Sequence, residues 1–596
     1  MGNVTFDPGD HVISSRFGRG QVEFDKGRSV IVRFDHGLEE CEKATLTPTD
    51  TVPKATRRET WDKPIEVITR IQAELIESIN DTWGVFSPSR IELLPHQLWV
   101  CRQVCSTWPA RYLVADDVGL GKTVEAGLIL WPILAKGLVR RLLILCPAAL
   151  VEQWQYRLRK MFDIRVTAYL SEADTEKADF WGTHPMVVAS LQTLRAENPD
   201  RQRRLLESSG WDLLIVDEAH HVNADEKAGP TLGFALLKKL GDAGKFTSAI
   251  FFTGTPHRGK DFGFVSLLGL LRPDLFDPTK PLARQIGNLR QVAIRNNKQS
   301  VTNLKGETLF QPPKVVSETY SYSPEEDKFY WMLSKFISTG KAYASSLSPT
   351  DARAVALVLI SMQKLASSSV AAIRKALKRR LARILDTRQK ATELDDLLKT
   401  YKAAEESVDF DRLSQMEEDL VSLNVKLKLM ENEESHLREL IGAADAVLDE
   451  TKIHRIVETV KTLYPNKSIL FFSEYKATQS LLMSELIKVF GERSVSFING
   501  DERAEDVVNA NGKIVVLSES RESAADRFNA GGVRFLVSTE AAGEGIDLQR
   551  CCHTLMHVDL PWNPMRLHQR VGRLNRYGQK HQVEVLTWEC PIDRRK

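Results

Sequence analysis

The chain has 596 residues, a formal net charge of +2, 42% hydrophobic and 27% charged residues. That is too long for one core and has the composition of a soluble globular protein, so several domains are expected. Near-neutrality excludes capture of a polyanion by overall attraction and leaves only local patches for that purpose. The seven cysteines include no CxxC pair, which excludes a zinc-finger or disulfide framework and points to thiols in a reducing compartment. The opening residues lack a basic start followed by an apolar run, and no apolar stretch is long enough to cross a bilayer. A soluble, intracellular protein with no membrane partner is the expectation.

The first fifty residues break into short strands, HVISSRF, GQVEF and SVIVRF, with turns at Gly18-Arg19-Gly20 and Asp25-Lys26-Gly27. They predict a small Tudor- or SH3-like barrel over 1–52. A linker with a helix is assigned to 53–90. From Ile91 to Tyr322, short apolar runs (RYLVAD, RLLILCP, MVVAS, DLLIVDEAH, SAIFFTGTP) alternate with helical ones. Parallel sheets covered on both faces need that texture, so 91–322 is read as an α/β lobe.

Residues 323–450 read as a helical insertion. Leu413, Met416, Leu420, Leu423, Leu427, Met430 and Leu437 keep a 3-4 spacing with charges between, which predicts a coiled coil. Before it, RKALKRRLARILDTRQK crowds cations into one helix, either a solvated face or a nucleic-acid contact; the run itself favours neither. Strand–helix alternation resumes over 451–596 with KSILFFSEY, VSFING, VRFLVSTE and CHTLMHVDL, a second α/β lobe.

Two segments carry chemistry on their own terms. YLVADDVGLGKTVEAG is a strand, a glycine-containing loop and a helix starting at Lys-Thr. Amides of such a loop converge on phosphate oxygens at the positive end of the helix. Lys122 would reach the β- and γ-phosphates and Thr123 would hold Mg²⁺. Asp116 stands where the usual pattern has its first glycine. In LLIVDEAHH an apolar strand delivers Asp217 and Glu218 to its carboxyl end. Asp217 would coordinate Mg²⁺ through water, and Glu218 would orient and deprotonate the attacking water. Two acids at a strand end often make only a cap or a turn; behind a phosphate loop they read as a hydrolase pair.

In order, ADDVGLGKTVEAG, VDEAHH, FTGTPHR, STEAAGEGIDLQ and QRVGRLNRYGQ resemble the motif series of Swi/Snf-type superfamily 2 ATPases, nearest the bacterial RapA-like branch. Asp116 is the residue this family itself carries in the loop. The resemblance covers Ile91–Tyr322 and Thr451–Thr587 and implies two RecA-like lobes closing on ATP and Mg²⁺. It assigns Gln97 in LLPHQL to adenine, Asp117, Gly119, Gly121, Lys122 and Thr123 to the phosphates, and Gly545 and Asp547 to second-lobe contacts with the nucleotide. Thr253 and Thr255 resemble the link between hydrolysis and lobe movement. Ser190, Gln192, Thr193, Ser473 and Thr539 fall in segments that touch the phosphate backbone in this family, as small hydroxyls suited to sequence-independent binding. Arg573 and Arg576, three apart on a helix, resemble arginine fingers, worth on the order of 10³–10⁵ in rate in other nucleotide hydrolases.

The implied activity is ATP-dependent translocation on double-stranded DNA in the bacterial cytosol, at the nucleoid. A strand-separating DNA or RNA helicase remains open. So does an ATP-switched scaffold recruiting a protein partner through the N-terminal barrel or the coiled coil. RapA-type chains include polymerase-recycling factors, and related motors resemble subunits of anti-phage systems such as DISARM; the helical insertion and the short end after VEVLTWE fit the second. Members of the family continue into a helix bracing the lobes, so a longer parent protein is expected.

Overall fold

The computed structural model describes residues 6–14, 16–34, 37–49, 68–69, 72, 93–175, 178–195, 199–226, 229–257, 260–303, 305–385, 416–417, 419, 421, 429–430, 432–540 and 546–590. Two compact units result, 1–80 and 81–596.

In the first unit, β1 (His11–Ser14), β2 (Gly18–Asp25), β3 (Ser29–Phe34), β4 (Gly37–Glu42) and β5 (Leu46–Thr49) form one antiparallel sheet in the order β4-β3-β2-β1-β5. Alternation along the strands puts Val12, Val22, Val30, Val32 and Phe34 on one buried face. The expected barrel is not closed: β4 and β5 remain the two edges of the sheet. Both edges are poor templates for pairing. Pro48 in β5 has no N–H to donate, and β4 carries Glu39, Glu40 and Glu42.

The second unit holds two parallel sheets. In the first lobe lie β6 (Arg111–Val114), β7 (Leu142–Cys146), β8 (Thr167–Ala168), β9 (Met186–Ser190), β10 (Trp211–Val216), β13 (Phe246–Phe252) and β14 (Ala293–Ile294). A two-stranded pair, β11 (Ala224–Asp225) and β12 (Gly229–Pro230), sits between β10 and β13 in the chain. The seven-stranded order is β14-β6-β13-β10-β7-β9-β8, every pairing parallel. Its central strands carry the buried apolar runs LLIL and LLIV, as a sheet covered by helices on both faces requires.

The second lobe is a six-stranded parallel sheet in the order β15-β22-β21-β16-β20-β17. Its strands are β15 (Lys314–Thr319), β16 (Ile469–Phe472), β17 (Val495–Ile498), β20 (Phe535–Ser538), β21 (Thr554–His557) and β22 (Glu584–Glu589), with a hairpin of β18 (Arg503–Val508) and β19 (Ile514–Ser518) beside it. The edge strand β15 comes from far upstream, before the helical insertion, and pairs along its whole length with β22. The chain therefore enters the second sheet, leaves for the insertion, and returns.

That insertion contains helices Pro324–Ala344, Pro349–Ser368, Val370–Leu385 and Glu433–Ala446 around a shared apolar core. The first is started by a capping box: Ser323 Oγ accepts from the Glu326 amide at 3.2 Å, and Glu326 accepts from the Ser323 amide at 2.8 Å. Glu326 also accepts from the Thr451 hydroxyl at 2.6 Å, fastening the insertion to the start of the second lobe. Of the expected coiled-coil seam, Leu413, Leu420, Leu423 and Leu427 lie outside the described residues. Met430 and Leu437 are buried in the core shared by the four helices.

In the cation-rich helix Val370–Leu385 three cations are each met by an acid. Lys375 pairs with Asp506 at 2.7 Å, Lys378 with Asp445 at 2.7 Å, and the fully buried Arg380 with Glu433. Among the described residues no helix is long and apolar enough to cross a membrane.

Candidate nucleotide cleft

In the first sheet β6, β13 and β10 are neighbours, so the loops at their carboxyl ends open side by side. The loop after β6 runs to helix Lys122–Ala135, whose free N-terminal amides face the cleft. Gly119 and Gly121 adopt φ of 95° and 96°, which ordinary side chains resist. Space forbids a side chain as well: a Cβ at Gly121 would come 2.6 Å from Gln97 Nε2. Gln97 donates to the Leu120 carbonyl at 2.9 Å, and His96 Nε2 lies 3.2 Å from the same oxygen. Helix Pro95–Ser106 thus props the loop, and Gln97 Oε1 is left buried without a hydrogen-bond partner among the described residues.

Asp116 is fully buried. Its two oxygens accept from the Asn296 amide and side chain at 2.9 and 2.8 Å. Asp117 accepts from the Lys298 amide at 3.1 Å. The acid in place of glycine therefore ties the loop to the turn after β14.

Asp217 and Glu218 follow β10. Asp217 accepts from the Trp154 indole at 2.8 Å and from the Glu218 amide at 2.8 Å. Burial, then the Glu218 charge, pushes its carboxyl above the usual range. For Glu218 burial alone would raise the carboxyl, but Lys122, His220 and Arg573 outweigh it and hold it low. Glu218 sits at φ 47°, a left-handed conformation costly for a side chain of its size. His220 Nδ1 lies 3.2 Å from Glu218 and 3.0 Å from the Thr253 hydroxyl. The Thr253 hydroxyl in turn accepts from the Thr255 amide at 3.1 Å. The two threonines are thus wired to the acid pair through a histidine, and Thr255 Oγ1 is buried without a partner among the described residues. Thr123 occupies the second position of the loop helix, and with Asp217 it offers oxygen donors of the kind Mg²⁺ takes.

The other wall comes from the second lobe. Helix Pro564–Val571 ends before the two arginines, which lie on the tight turns after it, starting at Gly572. Glycine is a poor helix former, and the chain there bends against the phosphate loop. Arg573 Nε donates to the Gln569 carbonyl at 3.2 Å. Arg576 pairs with Asp547 and donates to the Ile546 carbonyl at 3.2 Å. Asp547 also accepts from Arg157 of the first lobe at 3.1 Å, so one carboxylate joins both walls. The walls touch: a Cβ at Gly119 would lie 3.0 Å from Arg576 Cβ and 3.2 Å from the Asn575 carbonyl. Gly545 falls outside the described residues.

The segments expected at a nucleic-acid backbone are placed differently. Ser190 donates to Gln192 Oε1 at 3.1 Å and accepts from the Thr193 amide at 3.2 Å, a self-contained turn after β9. Ser473 is fully buried and donates to Asp559 at 2.9 Å; Thr539 is buried as well. Asp559 is the centre of a polar network that reaches Ser368 of the insertion at 2.5 Å, and Arg570 donates to its carbonyl at 2.8 Å. Sequence reading assigned nothing to Trp154, His220, Lys298 or Asp559. Only the doubled histidine of VDEAHH gave any signal.

Comparison with known proteins follows the same two walls. The SNF2-related domain matches residues 99–339, and the helicase conserved C-terminal domain matches residues 451–578. The chain is 28% identical over 504 residues to "Uncharacterized ATP-dependent helicase YqhH" of Bacillus subtilis (strain 168), covering 83% of this chain and 74% of that one. It is 25% identical over 520 residues to "RNA polymerase-associated protein RapA" of Yersinia enterocolitica, covering 85% of this chain and 48% of the relative. The chain thus spans about half the length of RapA. Neither description concerns phage defence. The Pyrococcus furiosus Hef helicase domain aligns with a TM-score of 0.45 at 16% identity, covering 84% of this chain and 96% of that one, an overlap too loose to carry anything further.

Proposed function

This chain belongs to the SNF2-type superfamily 2 ATPases, and from that premise we propose that it hydrolyses ATP with Mg²⁺ between its two lobes to translocate on double-stranded DNA without separating the strands. The observation that carries this reading is the composite cleft. Lys122, Asp217 and Glu218 line one wall, Arg573 and Arg576 the other, and the walls meet at Gly119 and Arg576.

In this reading the loop amides and Lys122 hold the triphosphate, and the unpartnered Gln97 oxygen is free to receive an adenine amine. Thr123 and Asp217 would hold Mg²⁺, which would supply charge to neutralise the bound phosphates. Glu218, kept ionised by Lys122 and His220, orients the attacking water and takes its proton. Arg573 and Arg576 meet the negative charge that develops on the transferred phosphoryl group. Loss of that group weakens the bond between walls, and the His220–Thr253–Thr255 chain carries the change into the first lobe. Ser190, buried as it stands, holds the turn of Gln192 and Thr193, which serve the phosphate backbone. Ser473 and Thr539 reach it only if the second lobe rearranges, since their side chains are buried as they stand. The RapA relative is described as RNA polymerase-associated, and a protein partner met through the N-terminal sheet or the helical insertion is part of this reading, with the bacterial cytosol and nucleoid as its place.

The test is steady-state ATP hydrolysis alone, with duplex DNA, with single-stranded DNA and with RNA, beside Glu218→Gln. Stimulation chiefly by duplex, lost in Glu218→Gln, together with displacement of a triplex-forming strand, is the expected result. Stimulation only by single strands or RNA would replace it with a strand-separating helicase. Tight ATP-dependent binding without displacement would replace it with a switch.

A further inference from the structure

Lys298 follows β14 in the first lobe, yet its side chain ends on the second. Its ammonium donates to the Asn575 carbonyl, in the peptide segment that separates Arg573 from Arg576. Its own backbone amide is held by Asp117 at 3.1 Å, and two residues earlier Asn296 is held by both oxygens of Asp116. The turn 296–298 is therefore clamped to the phosphate loop at one end and reaches across the cleft at the other. A small apolar cluster seals the same joint: Leu120 of the loop packs with Val301 and Phe310, with Tyr577 of the second lobe against them. Lys298 Nζ lies 5.5 Å from the centre of the Phe310 ring.

We propose that Lys298 is a positioning residue that fastens the arginine-bearing turn of the second lobe to the phosphate loop, so that nucleotide in the loop and arginines at the γ-phosphate are engaged together. The inference rests on the cleft proposed above and adds to it a residue outside the acid pair and the two arginines.

The electrostatic setting ties this latch to the nucleotide. Burial first, and the Arg576 charge next, pull the Lys298 ammonium down to about 7, with Arg573 and Lys122 adding to the repulsion and Asp117 opposing it. Four cations thus converge on a space where a polyanion would relieve the repulsion that Asp117, Asp547 and Glu218 leave. A triphosphate there restores the full charge of Lys298 and tightens its bond to the Asn575 carbonyl. Loss of the γ-phosphate returns the repulsion and slackens the latch.

The experiment uses the full chain with duplex DNA and compares Lys298→Gln, Lys298→Arg and Glu218→Gln with the unaltered protein. Removing a charged donor from a half-buried bond is expected to lower kcat by about tenfold or more. KM for ATP should stay within about threefold, because the loop still binds phosphate. Lys298→Arg, which keeps a cationic donor, should recover most of the loss, and all three variants should melt with the parent. An unchanged kcat in Lys298→Gln, beside an inactive Glu218→Gln, overturns the proposal and leaves the cleft intact. A rise in KM alone overturns it in favour of a phosphate ligand. Equal losses of melting temperature in both Lys298 variants overturn it in favour of a packing role. An active Glu218→Gln instead overturns the cleft reading itself.

Discussion

Cations gather in two regions of this molecule, and their partners differ. In helix Val370–Leu385 the donors rest on carboxylates: Lys375 on Asp506, Lys378 on Asp445, Arg380 on Glu433. In the cleft the two arginines rest in part on main-chain oxygens: Arg573 on Gln569 and Arg576 on Ile546. Asp547 is a carboxylate shared there between Arg576 and Arg157. A carbonyl holds a cation weakly enough for a phosphate to displace it, whereas a buried carboxylate does not release its partner without leaving a charge uncompensated. Density of positive charge in the sequence is thus no guide to anion binding. What the charge is already bonded to decides.

The contrast is open to measurement. Arg576→Ala should lower duplex-stimulated ATP hydrolysis by about 10³-fold or more, as loss of a phosphate-facing arginine does in other nucleotide hydrolases. A loss below tenfold would mean that Arg576 serves Asp547 and not the nucleotide. In the insertion, Arg380→Met should instead act on stability, costing about 3–5 kcal/mol because Glu433 is left buried and unpaired. Replacing Glu433 by Leu in the same chain should restore much of the melting temperature, and a failure to do so would show that packing and not charge was lost. Lys375→Ala with Lys378→Ala should be smallest, within about 1 kcal/mol per surface pair. Their duplex affinity should keep the parent's salt dependence, since these ammonium groups already have partners. A slope lower by about one per lysine would make that helix a phosphate contact after all.

Much of the cleft was legible because its parts are local. Loop and helix lie in the single run DDVGLGKT and the acid pair in IVDEAHH, while the arginines of VGRLNRYG took their expected role from the family resemblance. Less local features were not legible. Trp154 reaches Asp217 from a helix 63 positions away, and Lys298 meets Asn575 across 277 positions. No run of residues announces such a pairing. The two hydroxyls at Ser473 and Thr539 stand in the right motifs but are buried, because Asp559 and the sheet claim them before any backbone can.

The alternation of apolar strands with helices was enough to determine two parallel lobes with a helical insertion between them, since only a sheet covered on both faces needs such runs. Family membership followed from the order of motifs, again a property of the linear chain. Three matters were left to tertiary structure. The N-terminal strands make an open sheet and not a barrel, because closure depends on how edges such as Pro48 and the β4 acids meet. Strand β15 joins the second sheet although the chain reaches it before the insertion, a choice of register between distant segments. Three cations of the basic helix are paired by Asp445, Asp506 and Glu433, residues brought to it from later elements. In each case the deciding partner is remote in sequence, and pairing energies between remote groups exist only after the chain has folded.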